Sequence, residues 1–116
     1  MGLKKSFRVK KKQDFNAIFH AKHSMANRAF IVYQLPHEDL THFRLGLSVS
    51  KKLGHAHTRV LIKRRLREIM RQLAPELLPR DIVIIARPGV ENMTFAELQK
   101  NLQHILKKSQ LLEKNT

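Results

Sequence analysis

The segment FRLGLSVSKKLG at residues 43–54 decides the fold of this chain, because the hydrophobic period changes at its Gly54. Apolar side chains occupy every second position from Phe43 to Val49, which is the period of a strand with one buried face. Beyond Gly54 the period becomes helical over residues 58–73, where apolar side chains recur on one arc. The arc consists of Ile62, Leu66, Ile69, Met70 and Leu73. A strand therefore leads directly into a long amphipathic helix.

Further elements lie on both sides of this strand and helix. Upstream, residues 13–21 predict a short helix, and the β-branched and aromatic run over residues 28–35 predicts a strand. Downstream, the apolar run over residues 81–87 predicts a buried strand. Thr94 and Glu97 then form the Thr-x-x-Glu pattern that begins a last helix. The predicted order is helix, strand, strand, helix, strand, helix.

This order predicts a single αββαβα domain over residues 1–116, an α/β (α+β) two-layer sandwich with a mixed sheet. The long helix gives a crossover of the length that parallel neighbouring strands require. No internal repeat, low-complexity stretch or Gly/Ser linker divides the chain. Residues 1–12 form a basic N-terminal segment, and residues 109–116 are expected to form a flexible C-terminal end.

The charge of the chain indicates a polyanionic partner. Its 116 residues include 23 Lys and Arg against 9 Asp and Glu, so the formal net charge is +14. The hydrophobic fraction of 42% is typical of a folded domain, so the charge lies on a globular surface. The absence of cysteine excludes a disulfide scaffold, a Cys-ligated zinc site and a thiol nucleophile. Because no apolar run is long enough to span a bilayer, a cytoplasmic location is expected.

The long helix concentrates this charge on one face, where only Glu68 opposes the cations. The basic stripe consists of Arg59, Lys63, Arg67 and Arg71 at i, i+4 spacing, with Arg64 beside it. Like charges at this spacing repel each other, and phosphates held by the planar guanidinium groups would relieve that repulsion. Lys51 and Lys52 lead into the helix N-terminus, whose free N–H groups also favour anions. The stripe predicts a phosphate-binding surface; a solubilising charged face is the alternative.

A second candidate surface combines aromatic and basic side chains near the N-terminus. Phe15, Phe19 and Tyr33 lie in a part of the sequence that is rich in cations, including Arg8. Aromatic rings interleaved with cations can stack on unpaired bases while the cations neutralise the nucleic-acid backbone. The alternative is that Phe15 and Phe19, at i, i+4 spacing, belong to the core.

Four separated motifs resemble the protein subunit of bacterial ribonuclease P. These motifs are ANR at residues 26–28, FRLGLSVSKKLG at 43–54, IKRRLRE at 62–68 and IIAR at 84–87. The resemblance extends from about Leu3 to Lys108, with the motifs in the family's order. It implies a ribonucleoprotein endonuclease that removes the 5′ leader from precursor tRNA. In that enzyme a catalytic RNA with bound Mg²⁺ performs the reaction, and the protein alone is inactive, with no catalytic residue, cofactor or metal of its own.

The resemblance also implies a role for each surface. The basic helix and its entry loop face the catalytic RNA, which maps onto Lys51, Lys52, Arg59, Lys63, Arg64, Arg67 and, along the same stripe, Arg71. A cleft between the first helix and the sheet takes the single-stranded leader, which maps onto Phe15, Phe19, Tyr33, Ser48, Ser50 and Arg8. The implied partners are the catalytic RNA and precursor tRNA, not DNA or a membrane. The family fold has a left-handed crossover, which periodicity cannot predict and which the usual rule would reject.

The sequence departs from the family pattern at the start of the long helix. The family helix opens with Arg, Asn and then Arg or another polar residue, whereas this chain has Arg59, Val60 and Leu61. Both apolar side chains are expected to be exposed, since neither lies on the core arc. We hypothesise that the missing contacts weaken affinity for the catalytic RNA by about 1 to 3 kcal/mol. The test is to combine Val60→Asn with Leu61→Arg and measure affinity against salt; unchanged affinity and slope would contradict the hypothesis.

Two other functions are compatible with parts of the sequence. One is a ribosomal or general RNA-binding protein with no link to tRNA processing, which would not support leader cleavage by a catalytic RNA. The other is a metal-dependent nuclease that acts unaided, which needs paired acids, a His pair or metal-binding carboxylates, and the 9 acidic residues of the sequence show no such cluster. His55 with His57, or His20 with His23, supplies only two ligands, so neither pair predicts a metal site.

Overall fold

The computed structural model of the chain describes residues 3–21, 23–36 and 39–112. Within these ranges, three helices and four strands follow one another, with short 3-10 turns between some of them. In chain order the elements are α1 (Lys12–His20), β1 (Ser24–Ala26), β2 (Phe30–Pro36), β3 (Arg44–Ser48), α2 (Ala56–Leu73), β4 (Arg80–Ala86) and α3 (Phe95–Lys108). Every helix and strand predicted from the sequence is present, with small shifts at the ends. None of the helices in these ranges has the length and hydropathy that crossing a membrane requires.

The strands form one mixed sheet in the order β1-β2-β4-β3. β2 pairs antiparallel with β1 and with β4, whereas β3 and β4 are parallel. The prediction that α2 connects two parallel strands is therefore confirmed. The edge strand β1 was not predicted, because all three of its residues are exposed and show no alternating pattern. The left-handedness of the crossover stays a prediction of the family resemblance.

Helices cover the two faces of the sheet unequally. Leu66 of α2 and Leu102 of α3 are buried with Ile84 of β4 in the main core, on one face. On the opposite face, α1 buries Ile18 in a smaller cluster with Val83. The predicted two-layer sandwich describes the sheet with α2 and α3, and α1 adds a helix on the other face.

The chain after α3 packs back against the main core. Ser109, Leu111 and Leu112 are buried, and Leu112 forms an isolated antiparallel bridge with Leu77. The prediction of a flexible end that begins at residue 109 is therefore wrong up to residue 112, because the two leucines bury apolar surface. Residues 113–116 of that predicted end, like residues 1 and 2 of the basic N-terminal segment, lie outside the described residues.

The connection from β3 to α2 has a defined shape. Ser50 Oγ accepts a hydrogen bond from the Lys52 backbone N–H at 3.0 Å and so starts the 3-10 turn Lys51–Leu53. Leu53 is buried and anchors that turn, whereas both lysines are exposed. Gly54 follows with a φ of 138°, a backbone conformation that side chains with a Cβ rarely adopt. The turn therefore presents two cations immediately before α2 begins.

Candidate nucleic-acid interface

The predicted cations lie along the outer side of α2 and on its entry loop, because the apolar arc of α2 is buried against the sheet. Lys51, Lys52 and Arg64 are exposed, and Arg59, Lys63 and Arg67 are half-buried. Arg59 Nε donates a hydrogen bond to the Gly54 carbonyl at 3.3 Å, which connects the helix stripe to the entry loop. The N-cap of α2 is His55, whose side chain makes no capping bond to the described helix, so the first-turn N–H groups can face an anion.

Arg71 differs from the other members of the stripe because it has an acidic partner. Its guanidinium donates to both carboxylate oxygens of Glu68, with 3.0 Å between Nε and Oε1. This hydrogen bonding raises the pKa of Arg71. The repulsion predicted along the stripe is therefore relieved at Arg71, since Glu68 lies three residues earlier on the same side of the helix.

Arg8 was predicted to lie with the aromatic residues, but in the structure it lies beside the α2 cations. The N-terminal segment reaches β3 through an Arg8–Leu45 bridge, and Arg8 Nη2 donates to the Leu3 carbonyl at 3.1 Å. Burial, and secondly the charge of Arg8, lower the pKa of Arg67. Arg8 also lines a smaller groove with Asp14 at the start of α1. It therefore stands between the two predicted surfaces.

A cavity of about 600 Å³ opens between α2, the N-terminal segment and the start of α3. Its lining combines four arginines, two apolar side chains and one carboxylate, namely Arg8, Arg64, Arg65, Arg67, Val60, Phe95 and Glu68. Arg65 and Phe95 were not among the predicted site residues, and no local pattern could have placed Phe95 near α2. Val60 is 53% exposed, as predicted, whereas Leu61 is half-buried, so the prediction of an exposed side chain is wrong for Leu61.

The three predicted aromatic residues come together on the sheet face that α1 covers. The rings of Phe19 and Tyr33 meet edge to face, with their centroids 5.0 Å apart. Phe15 lies against Gly46, where a Cβ atom would come within 2.7 Å of the Phe15 Cζ. All three rings are half-buried around the smaller core. Each ring therefore contributes to packing and also keeps part of its surface accessible, so the two alternatives from the sequence meet in one cluster.

The sheet continues this cluster into a more open row of side chains. Strand pairing aligns Ile31 of β2 with Ile85 of β4, and Ile85 with Ser48 of β3. Because side chains alternate along strands, this row shares the face of Tyr33 and lies two residues further along. Ile31 and Ile85 are half-buried and Ser48 is exposed. Ser50, whose hydroxyl caps the entry turn of α2, lies beyond the end of β3.

The acidic and histidine side chains do not assemble into a metal centre. Within the described ranges, no three His, Asp or Glu side chains lie close enough together to hold a metal ion. Asp14 and Asp81 each form an ion pair with Arg44. That the chain has no catalytic residue and no cofactor of its own stays a prediction.

Known proteins resemble this chain over nearly its whole length. The family model described as Ribonuclease P matches residues 3–110. The ribonuclease P protein component of Lactococcus lactis subsp. cremoris is 54% identical over 111 residues, which cover 96% of this chain and 94% of that protein. The corresponding protein of Staphylococcus carnosus is 48% identical and covers 97% of both chains.

Solved structures agree in fold as well as in sequence. The RNase P protein of Staphylococcus aureus superposes with a TM-score of 0.89 at 43% identity, over 94% of this chain and 100% of that chain. The RNase P protein of Thermotoga maritima superposes with a TM-score of 0.79 at 30% identity, over 87% and 96%. The fold and the sequence of this chain thus both match those of ribonuclease P proteins. The chain belongs to the bacterial ribonuclease P protein family, the protein components of a ribonucleoprotein endoribonuclease of tRNA processing.

Proposed function

We propose that α2 and its entry loop bind phosphates of the catalytic RNA of ribonuclease P. The observation that carries this proposal is the density of cations on one side of one helix, next to a turn whose two lysines are exposed. Arg8 adds a further charge from a distant part of the sequence. Neutralising phosphates releases counterions and relieves the repulsion among these side chains, so binding strengthens as the salt concentration falls.

The aromatic cluster under α1 and the open row beside it are proposed to bind the single-stranded 5′ leader of precursor tRNA. Phe15, Phe19 and Tyr33 keep part of each ring accessible, and every base has a face that can stack on such a ring. Ser48 supplies a hydroxyl on the same face for hydrogen bonds to the leader. Because stacking does not depend on base identity, this surface would accept leaders of varied sequence.

The contribution of the protein to leader removal is then positional and electrostatic. Its positive charge reduces the repulsion between precursor tRNA and the catalytic RNA, and its leader cleft holds the strand extended on one side of the cleavage site. The catalytic RNA, with its bound Mg²⁺, carries out the hydrolysis in the cytoplasm. The protein chain binds and orients, and it donates no catalytic group.

Reconstitution with the catalytic RNA of L. lactis tests the two surfaces separately. We expect Lys63→Gln and Arg64→Gln each to weaken binding to the catalytic RNA. Each should also make the slope of log K against the logarithm of the salt concentration shallower by about 0.7 to 0.9. We expect Phe19→Ala to weaken binding of leader-bearing precursor tRNA by about tenfold or more, without a change for mature tRNA. Lys100→Gln removes an exposed charge on α3 and serves as the control. If Phe19→Ala binds leader-bearing precursor tRNA as tightly as the wild type does, a role of Phe19 in leader binding is excluded.

Degradation of mRNA is a second function to test, because of one related protein. A Staphylococcus aureus RNase P protein mutant, described as defective in mRNA degradation activity, superposes with a TM-score of 0.89 at 44% identity. Incubation of the present protein with mRNA and with precursor tRNA, with Mg²⁺ but without catalytic RNA, tests whether the chain cleaves RNA unaided. We expect no cleavage of either RNA. Cleavage by the protein alone would contradict the proposal that hydrolysis belongs to the RNA.

A further inference from the structure

We propose that the cavity between α2 and the start of α3 holds one unstacked nucleotide of the catalytic RNA, with its base against Phe95 and Val60 and its phosphate among the arginines. This inference rests on the proposed function, because it concerns the same partner. It goes further by assigning to this face a contact with a base in addition to contacts with phosphates.

The two walls of the cavity come from distant parts of the sequence. On α2, Val60, Arg64 and Arg67 follow one another at i, i+4 and i+7, so they form one line along the helix. Across from them lie Arg8 of the N-terminal segment and Phe95, the first residue of α3. The wall on α2 is thus apolar at its N-terminal end and cationic further along, which suits the stacking face of a base at one end and a charged phosphate at the other.

The size and lining of the cavity suit a nucleotide. Its volume of about 600 Å³ lies in the range of about 300 to 1,000 Å³ that is common for small-molecule sites. Val60 is 53% exposed and Phe95 is half-buried, so both apolar surfaces can be reached from outside. A phenyl ring stacks on any base, and guanidinium planes can do the same while they bind phosphate.

The electrostatics of the cavity favour a bound anion. Arg8 lies close enough to Arg67 to contribute to lowering the pKa of Arg67, an unfavourable proximity that a phosphate between them would relieve. The one carboxylate of the lining, Glu68, is already bound by Arg71 and Gln72, and the four arginines outnumber it.

The test compares affinities for the catalytic RNA of L. lactis across a range of salt concentrations. We expect Phe95→Leu to reduce affinity by about tenfold without changing the salt dependence, because a base contact is lost and no phosphate contact is. Phe95→Trp should retain the wild-type affinity. Phe7→Leu removes a half-buried ring elsewhere, where it stacks on His42, and should bind the RNA as the wild type does. Thermal unfolding of each variant shows that it is folded under the conditions of the assay.

Chemical probing of the bound RNA locates the base directly. We expect one nucleotide to be protected in the wild-type complex and to become reactive in the Phe95→Leu complex. Wild-type affinity of Phe95→Leu, or an unchanged probing pattern, would overturn the cavity proposal. If Arg64→Gln still lowers the salt dependence in that case, phosphate binding by α2 stands and only the nucleotide site fails. If neither variant changes binding, both proposals fail.

Val60→Asn separates the cavity proposal from the hypothesis drawn from the sequence. That hypothesis treats Val60 as a missing hydrogen-bonding side chain, so that an asparagine at this position, with Leu61→Arg, strengthens RNA binding. The cavity proposal treats Val60 as part of the surface that a base contacts, and Val60→Asn alone then weakens binding several-fold. Tighter binding by Val60→Asn would overturn the cavity proposal.

Discussion

The guanidinium of Arg44 donates to both carboxylate oxygens of Asp81, from Nε at 2.7 Å and from Nη2 at 2.8 Å. Asp81 is 2% exposed, so this pair anchors β3 to β4 inside the protein. The third nitrogen of Arg44, Nη1, lies 3.7 Å from Asp14 of α1. One side chain therefore joins two strands to the helix that carries Phe15. The hydrogen bond to Asp81 raises the pKa of Arg44, so the guanidinium keeps its positive charge.

Asp81→Asn should lower the free energy of unfolding by about 3 kcal/mol, because it leaves Arg44 without its ionised partner in a largely buried position. Asp14 remains near Arg44 and limits the loss. Urea denaturation of the two proteins measures the difference. Asp39→Asn, which changes an exposed carboxylate, should alter stability by less than about 0.5 kcal/mol. A similarly small effect of Asp81→Asn would show that the ion pair is not an anchor.

Gly46→Ala should destabilise the protein by about 1 to 3 kcal/mol, because the added methyl group collides with the Phe15 ring and crowds Val83. The displaced ring should also weaken binding of leader-bearing precursor tRNA. Denaturation and tRNA affinity measure the two effects. Combining Gly46→Ala with Phe15→Leu should recover part of the lost stability but not the leader affinity. Full recovery of both would mean that the Phe15 ring has no role in leader binding.

Arg64→Gln should lower the salt dependence of RNA binding more than Arg71→Gln does. Arg64 is exposed on the cavity side of α2, whereas Arg71 is already paired with Glu68. Each lost phosphate contact makes the slope shallower by about 0.7 to 0.9, and we expect less than half of that change for Arg71→Gln. Binding isotherms at several salt concentrations give both slopes. Equal slopes for the two variants would contradict the assignment of different roles.

Acid should remove a stabilising contribution at the start of α3. The Thr94 backbone N–H and then its side chain form hydrogen bonds that lower the pKa of Glu97 in the folded state. This contribution is complete above the ordinary glutamate pKa of about 4.3 and is lost as the pH falls through the lower folded-state pKa. The stability difference between wild type and Glu97→Gln should therefore be larger at neutral pH than near pH 3. A constant difference in unfolding free energy would exclude this contribution.

Much of the fold could be predicted because it depends on local patterns. The alternation over residues 43–49 and the helical arc of α2 are properties of neighbours in sequence, and the capping pair of Thr94 and Glu97 lies within four residues. β1 could not be predicted in this way, since it is a strand only because β2 supplies its hydrogen bonds. The flexible end predicted from residue 109 failed for the same reason, because Leu111 and Leu112 have their partners in the core.

The sequence by itself determined the order of the elements, the excess of positive charge and the basic side of α2, because period and composition act through neighbouring residues. Only the tertiary structure decided what each of these side chains faces. It placed Arg8 near Arg67, paired Arg71 with Glu68, and brought Phe95 to the cavity that Val60 also lines. Those relationships depend on how helices and strands pack, and in two of the three the residues lie tens of positions apart, where no local period connects them.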